Sequence, residues 1–311
     1  MSMPSSDALA TTLSPGQHTD DDQPPLDETR IASRWGIVAA RFRRRRLAMF
    51  GLGVLLLLFL LAFVGPYLTS WTYTDHDFNA FLQGPSADHY FGTTQTGGDV
   101  YALTLRGMQK SLIIGLLVAL FSTGMAAMVG SFAGYFGGWV DRVLMWFVDL
   151  LLVLPSFLII AILSPTFRGK TWLVFVVLLA AFLWTVTARI VRGMTISLAN
   201  REYVLAARYM GVPAHRIIFR HILPNISSLL IVDATINVSA AIISETSLSF
   251  FGFGVQPPDV SLGTLIADGT PSAVTYPWLF GFAGGILVAI VLAVNLVGDG
   301  LRDALDPTSG F

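Results

Sequence analysis

Three carboxylates, Asp149, Asp233 and Glu245, stand inside stretches otherwise apolar enough for lipid. An ionisable group there is costly and persists by facing a cavity or a bonded partner. The chemistry open to these three is hydrogen bonding, either along a pathway or at a gate, or as protonated or paired packing between helices. Nucleophilic and metal chemistry find little support. The chain has no cysteine, its five histidines (His18, His76, His89, His215, His221) lie outside the apolar runs, and no His-Glu-x-x-His pair occurs. Ser164 to Thr171 superficially has the look of a phosphate-binding loop, but serine stands where the first glycine is needed and no strand precedes it.

A second constellation does its chemistry by contact. Glu202, Tyr203, Leu205, Ala206, Ala207, Arg208 and Gly211 form a polar-faced helical stretch between two long apolar runs. Ala206, Ala207 and Met210 fit one helical face, with Tyr203 one turn earlier. Alanines allow close approach to a partner's groove, and the arginines supply directional contacts. Gly211 permits a left-handed helix cap, and Pro213 suits the first turn of a second helix carrying Ile217, Ile218 and Phe219. Leu223-Pro224 then closes the unit at the membrane surface. The spacing alone leaves two readings open, a docking knob and an interfacial helix pair that tiles lipid headgroups.

The elements that must carry these groups are membrane spans. Hydrophobic residues make up 54% of the 311-residue chain and charged residues 13%, with a mean hydropathy of +0.66. Soluble domains are about one quarter charged, so the balance excludes an ordinary soluble enzyme. A span needs about 20 apolar residues. Six runs qualify: Leu47–Thr69, Leu112–Gly134, Val143–Leu163, Trp172–Ala188, Asn225–Phe251 and Pro277–Gly298. The third holds Asp149 and Pro155, and the fifth is the weakest because Asp233, Asn237 and Glu245 interrupt it. Gly130-x3-Gly134 and Gly281-x3-Gly285 have the spacing of close helix contacts.

Lysine and arginine set the orientation. With both termini in the cytoplasm, 15 of the 19 basic residues lie inside, and only Arg106, Lys110, Arg168 and Lys170 lie outside. Residues 1–28 read as a disordered cytoplasmic tail without a signal peptide. Residues 29–46 read as a basic amphipathic interfacial helix with the stripe Ile31, Trp35, Val38, Phe42. The membrane domain covers 47–307, with a long cytoplasmic loop at 189–224, and 308–311 is a short tail. Trp71, Tyr73, Tyr90 and Phe91 in the outer loop serve equally well as anchors or as contacts for another protein.

The motifs resemble those of the dipeptide/oligopeptide permease family of ABC importers. Ala206-Ala207-x3-Gly211 and Leu223-Pro224 are similar to that family's Glu-Ala-Ala loop, with Leu205 in place of the glutamate and His221 in the aliphatic slot. The runs 89–100, 134–142, 148–156, 245–258 and 299–307 also resemble the family, specifically its C-type membrane subunit. Asp149 and Glu245 fall within these runs, whereas Asp233 falls in none and is the candidate for local specificity.

The resemblance implies an all-α membrane protein with six transmembrane helices and the type I importer fold. It implies that the chain forms half of a pathway for short peptides in a bacterial cytoplasmic membrane. Its implied partners are a second permease subunit, two ATPase subunits or one two-domain ATPase, and an external solute-binding protein. The chain would then hold no catalytic residue and no cofactor of its own, with ATP and magnesium on the ATPases. A stand-alone secondary transporter is the alternative, but it needs related halves with broken helices at an ion site, and no internal repeat is evident.

Overall fold

In lipid a helix satisfies its own backbone, so uninterrupted apolar runs become helices. The computed structural model describes residues 34–167 and 172–305. Among these residues the regular structure is helical, apart from two isolated β-bridges. Helix α1 (Arg34–Arg44) leads through extended Arg45 into α2 (Arg46–Val64), and α3 (Val100–Phe136) follows a long loop, the one that the sequence reading expects on the outer side. Helix α4 (Gly138–Val153) meets α5 (Ser156–Leu163) at 79°, and α6 (Leu173–Leu183) meets α7 (Thr185–Ala199) at 46°. The first break lies at Leu154-Pro155, where proline forces the preceding residue into an extended conformation.

Two short helices, α8 (Glu202–Tyr209) and α9 (Ala214–Ile217), then lead through a π-turn (Ile218–Ile222) into α10 (Leu223–Phe250). Helix α11 (Leu262–Gly269) starts at a capping box between Ser261 and Thr264, and α12 (Trp278–Leu305) closes the chain. Among the described residues four helical rods are long and apolar enough to cross a membrane, and the number reaches six when each bent pair is taken as one span. Each corresponds to one of the six sequence runs. The tails at 1–28 and 308–311, Ile31 of the amphipathic stripe, and Arg168 to Thr171 lie outside the described residues.

Two boundaries differ from the sequence reading. Helix α3 has 37 residues, about 55 Å at 1.5 Å per residue, and Arg106 and Lys110 lie on its first three turns and not on a loop. Residues 189–199 are helical too, the second half of a bent span, so the long loop shrinks to α8, α9 and their joints. The arginines that read as a cytoplasmic loop, Arg189 and Arg192, are ion-paired to Asp149 and Asp141 of α4.

Helix α7 lies along α3 at the predicted glycines. A Cβ on Gly130 would sit 2.5 Å from the Ala188 carbonyl oxygen, and one on Gly134 would sit 2.7 Å from that of Arg192. Close packing of this kind holds helices together where lipid is as apolar as the side chains. Gly281 and Gly285 are open, with nothing near a Cβ at either. Replacement of Gly130 by leucine is expected to cost on the order of 3 kcal/mol through overpacking against immovable backbone. Monodisperse protein recovered in mild detergent should fall several-fold, while Gly53→Leu, where a Cβ meets nothing, should behave as wild type. Equal recovery of the two variants would show that the α3–α7 contact is slack.

The ends of the bundle are distinct. Arg45 pairs with Asp303 at 3.3 Å, and the Phe42 ring approaches Gly300, so α1 sits on the last turns of α12. Gly65, at the far end of α2, lies against Leu105 near the start of α3. The end of α3 therefore shares one face of the bundle with α1. Phe132 and Tyr135 there pack against α8 and the π-turn. The outer loop, α11 and Trp172 gather at the opposite end, where Lys110 lies 4.5 Å above the Trp172 ring.

Candidate functional site

Helix α8 is two turns long, too short to hold itself together in water, and it survives by packing. Val204 and Ala207 are buried with Ile217, Ile218 and Ile222, over Leu198, Val212 and the end of α3. Its C-terminus is a Schellman cap: Val212 N–H donates to the Ala207 carbonyl at 3.1 Å and Gly211 N–H to that of Arg208 at 3.0 Å. Gly211 has φ +77°, which an L side chain adopts only at a cost of roughly 1–2 kcal/mol. The left-handed cap expected at Gly211 is therefore present.

The outward face of α8 differs from the expected one at a single position, Ala207. Ala207 is 4% exposed and points into the chain's own core, so it cannot touch a partner from there. Ala206, Arg208, Tyr209 and Met210 are outward, with Tyr203 beside them. Tyr209 is 87% and Met210 76% exposed. Glu202 is exposed in the first turn and Leu205 is half-buried. Leu223-Pro224 does not close the knob. The π-turn runs straight on into α10, so α9 and the span form one rod from Ala214 to Phe250, with α8 packed beside it. Proline needs no N–H donor at the first turns of α10, and the π-turn takes up the misfit that its ring would create.

The three carboxylates separate by surroundings. Asp149 is about half exposed and bound to Arg189, a tie between α4 and α7. Asp233 lies at the junction of α3, α7 and α10. It accepts from Thr187 Oγ1 at 2.6 Å, Thr123 Oγ1 at 3.2 Å and Asn237 Nδ2 at 2.9 Å. Glu245 is wholly buried and accepts from Ser249 Oγ at 2.7 Å and Ser111 Oγ at 3.0 Å. Ser249 Oγ lies 3.4 Å from Ser261 Oγ at the cap of α11, so this network joins α3, α10 and α11. Each of the three carboxylates is thus hydrogen-bonded or ion-paired to a neighbouring helix. Ser249 and Asn237 follow Glu245 and Asp233 by four residues, a helical spacing visible in the sequence. Ser111, Thr123 and Thr187 come from distant helices and carry no local signal.

At the opposite end a cavity of about 630 Å³ opens between the outer loop, the first turns of α3, and the segment from α10 through α11. Asp259 in its wall is held by Lys110 at 2.8 Å and Arg106 at 3.8 Å. The outer loop is anchored by aromatic contacts: Trp71 lies on buried His89 and Phe91 stacks on Phe282 at 3.9 Å. His89 Nδ1 is 2.8 Å from Asp99, which also caps α3 by accepting from Ala102 N–H. Tyr90 remains exposed, and Tyr73 meets Arg106 through its ring face. Among the described residues no three His, Asp or Glu side chains come together as a metal site.

Residues 126–309 match the family described as binding-protein-dependent transport system inner membrane component. Residues 33–85 match the N-terminal TM domain of oligopeptide transport permease C. The oligopeptide transport system permease protein OppC of Mycobacterium tuberculosis is 58% identical over 282 residues, 90% of this chain and 97% of that one. The dipeptide transport system permease protein DppC of Bacillus subtilis is 37% identical, over 92% of this chain and 87% of that one. Among solved structures, a chain of the MetNI methionine ABC transporter superposes with a TM-score of 0.51 at 18% identity, covering 66% of this chain and 96% of that one. This likeness bears on the fold, the helical arrangement of a type I importer permease.

Proposed function

The chain belongs to the family of binding-protein-dependent transport system inner membrane components, and from that premise we propose that it carries short peptides and is driven through the outward face of α8. It is a multi-pass membrane protein and a permease subunit of an ABC importer. The observation that supports α8 as the drive point is its shape: a two-turn helix packed on α9 and the π-turn that lead into α10, presenting Tyr203, Ala206, Arg208, Tyr209 and Met210 outward.

In this reading both termini and α8 face the cytoplasm, since that orientation keeps the basic residues inside. The chain forms half of the pathway in a bacterial inner membrane, and a homologous permease subunit forms the other half. Two ATPase subunits, or one two-domain ATPase, sit beneath the two knobs and hold ATP and magnesium. A solute-binding protein delivers cargo to the outer loops. Closure of the ATPases moves the knobs together, and the packed helices follow as bodies, opening the cavity to alternate sides. This subunit's work is mechanical, with no bond made or broken on its side chains. Peptide cargo is supported by the names of the relatives, one an oligopeptide and one a dipeptide permease.

The test is reconstitution. Tagged chain co-expressed with candidate partners should retain the ATPases and a second permease in mild detergent. In proteoliposomes, ATP hydrolysis should rise with peptide and binding protein together. Peptide uptake by this chain alone, driven by an ion gradient, would instead establish a secondary transporter.

A further inference from the structure

Where α1 meets α2 the chain concentrates positive charge. Six arginines occupy positions 34 to 46, with no acidic residue among them. The fold sorts them by what they hold. Arg45 is tied to Asp303 of α12 at 3.3 Å. Arg43, Arg44 and Arg46 are exposed and form no ion pair among the described residues. Water serves a single exposed arginine well enough. Here three of them, with Arg41 and Arg45 beside them, crowd into one elbow. Like charges this close add their fields, and together they attract an anion more strongly than any one of them would alone.

A second feature fixes the kind of anion. Arg46 opens a span, and the apolar residues after it are bare: Leu47 is 70% and Phe50 66% exposed. Phe50 lies one turn after Arg46 on the same face of α2. Charge and bare apolar side chains therefore adjoin at the level where the span leaves the hydrocarbon. An acidic protein or a nucleic acid would meet the charges and leave Leu47 and Phe50 in water. A phospholipid layer answers both, with phosphate against guanidinium and acyl chain against the apolar side chains. We propose that the α1–α2 elbow selects anionic phospholipid, with Arg43, Arg44 and Arg46 as the selecting charges. Arg45, latched to α12, holds the elbow in place while the other three recruit the headgroup. This requires only that α2 crosses the membrane, whatever the cargo and whatever drives it.

The chain has no cysteine, so a single introduced thiol can carry a fluorophore. Ala40→Cys places it on α1, one turn before Arg44, and Leu68→Cys places it beyond the far end of α2. Full-length protein is set in nanodiscs of phosphatidylcholine with a minority of phosphatidylglycerol, and a quenching spin label is put on one lipid or on the other. Per mole of label, phosphatidylglycerol should quench the Ala40→Cys site about fivefold more than phosphatidylcholine, the factor that corresponds to roughly 1 kcal/mol at one arginine. The two lipids should quench the Leu68→Cys site equally. Arg43→Gln, Arg44→Gln and Arg46→Gln together should abolish the difference, and lysine at the same three positions should keep it. Equal quenching at Ala40→Cys, the same preference at Leu68→Cys, a preference that survives the glutamines, or one lost with the lysines would overturn the proposal. So would a preference that emerges only when Asp20, Asp21 and Asp22 are replaced by asparagine, which would assign the arginines to the chain's own acidic run.

Discussion

Aspartate at both Tyr209 and Met210 is expected to abolish ATP-driven uptake by the assembled importer while the subunit remains folded in the membrane. Both side chains are mostly bare in this chain, at 87% and 76% exposure, so their replacement removes nothing from its own core. Against an ATPase they would be the large anchors of the contact, and such anchors contribute about 2 kcal/mol or more each. Loss of two, roughly 4 kcal/mol, corresponds to about a thousandfold in affinity. The ATPases should be missing from the purified complex, and transport should fall with them. Ala207→Glu supplies the structural counterpart. Ala207 is buried, so its glutamate would carry an unpaired charge into the knob. Residues 200–222 should then become protease-sensitive before any question of docking arises. Retention of the ATPases by the double aspartate variant, at wild-type transport rates, would remove α8 from the coupling path.

Loss of the Glu245 carboxylate is expected to have the largest effect on stability. Glu245→Ala leaves the hydroxyls of Ser111 and Ser249 without their acceptor and opens a void among three helices. An unbonded buried donor costs about 1–3 kcal/mol, so a total near 4 kcal/mol is expected. That corresponds to a fall of roughly 10 °C in the apparent Tm, read by aggregation of the purified complex on heating. Glu245→Gln keeps one acceptor oxygen in place and should lose about a quarter of that. Similar melting of the alanine variant and wild type would mean that the serines find other partners.

The six spans were legible because length and hydropathy decide them. The α3–α7 contact was legible because Gly130 and Gly134 share a helical face. The identical spacing at Gly281 and Gly285 faces open space in this chain, since spacing marks a face and does not say what covers it. The knob itself was visible, and Tyr203, Ala206 and Met210 of its expected face are outward, but the burial of Ala207 was not legible. On a two-turn helix the stripe Val204–Ala207 and the stripe Ala206–Met210 compete on equal terms. The winner was set by Phe132 and Tyr135 of α3, some seventy residues away. The same non-locality hid the second half of the fourth span. Arg189 and Arg192 look like loop residues until Asp149 and Asp141 of α4 are brought beside them. The donors to Asp233 and Glu245 were hidden wherever they lay on another helix.

The absence of a joint between α9 and α10 has a mechanical meaning. From Ala214 to Phe250 the chain is a single 37-residue beam, about 55 Å long at 1.5 Å per residue. Its fulcrum lies where Asp233 and Asn237 tie it to α3 and α7. A rocking of 10° about the middle of such a beam would displace each tip by roughly 5 Å, in opposite directions. One tip is α9, against which α8 is packed, and the other is Phe250, in the wall of the outer chamber. The same stroke that draws the knob inward would therefore swing that wall outward, with the sense of the motion reversed by leverage and no messenger needed between the two ends.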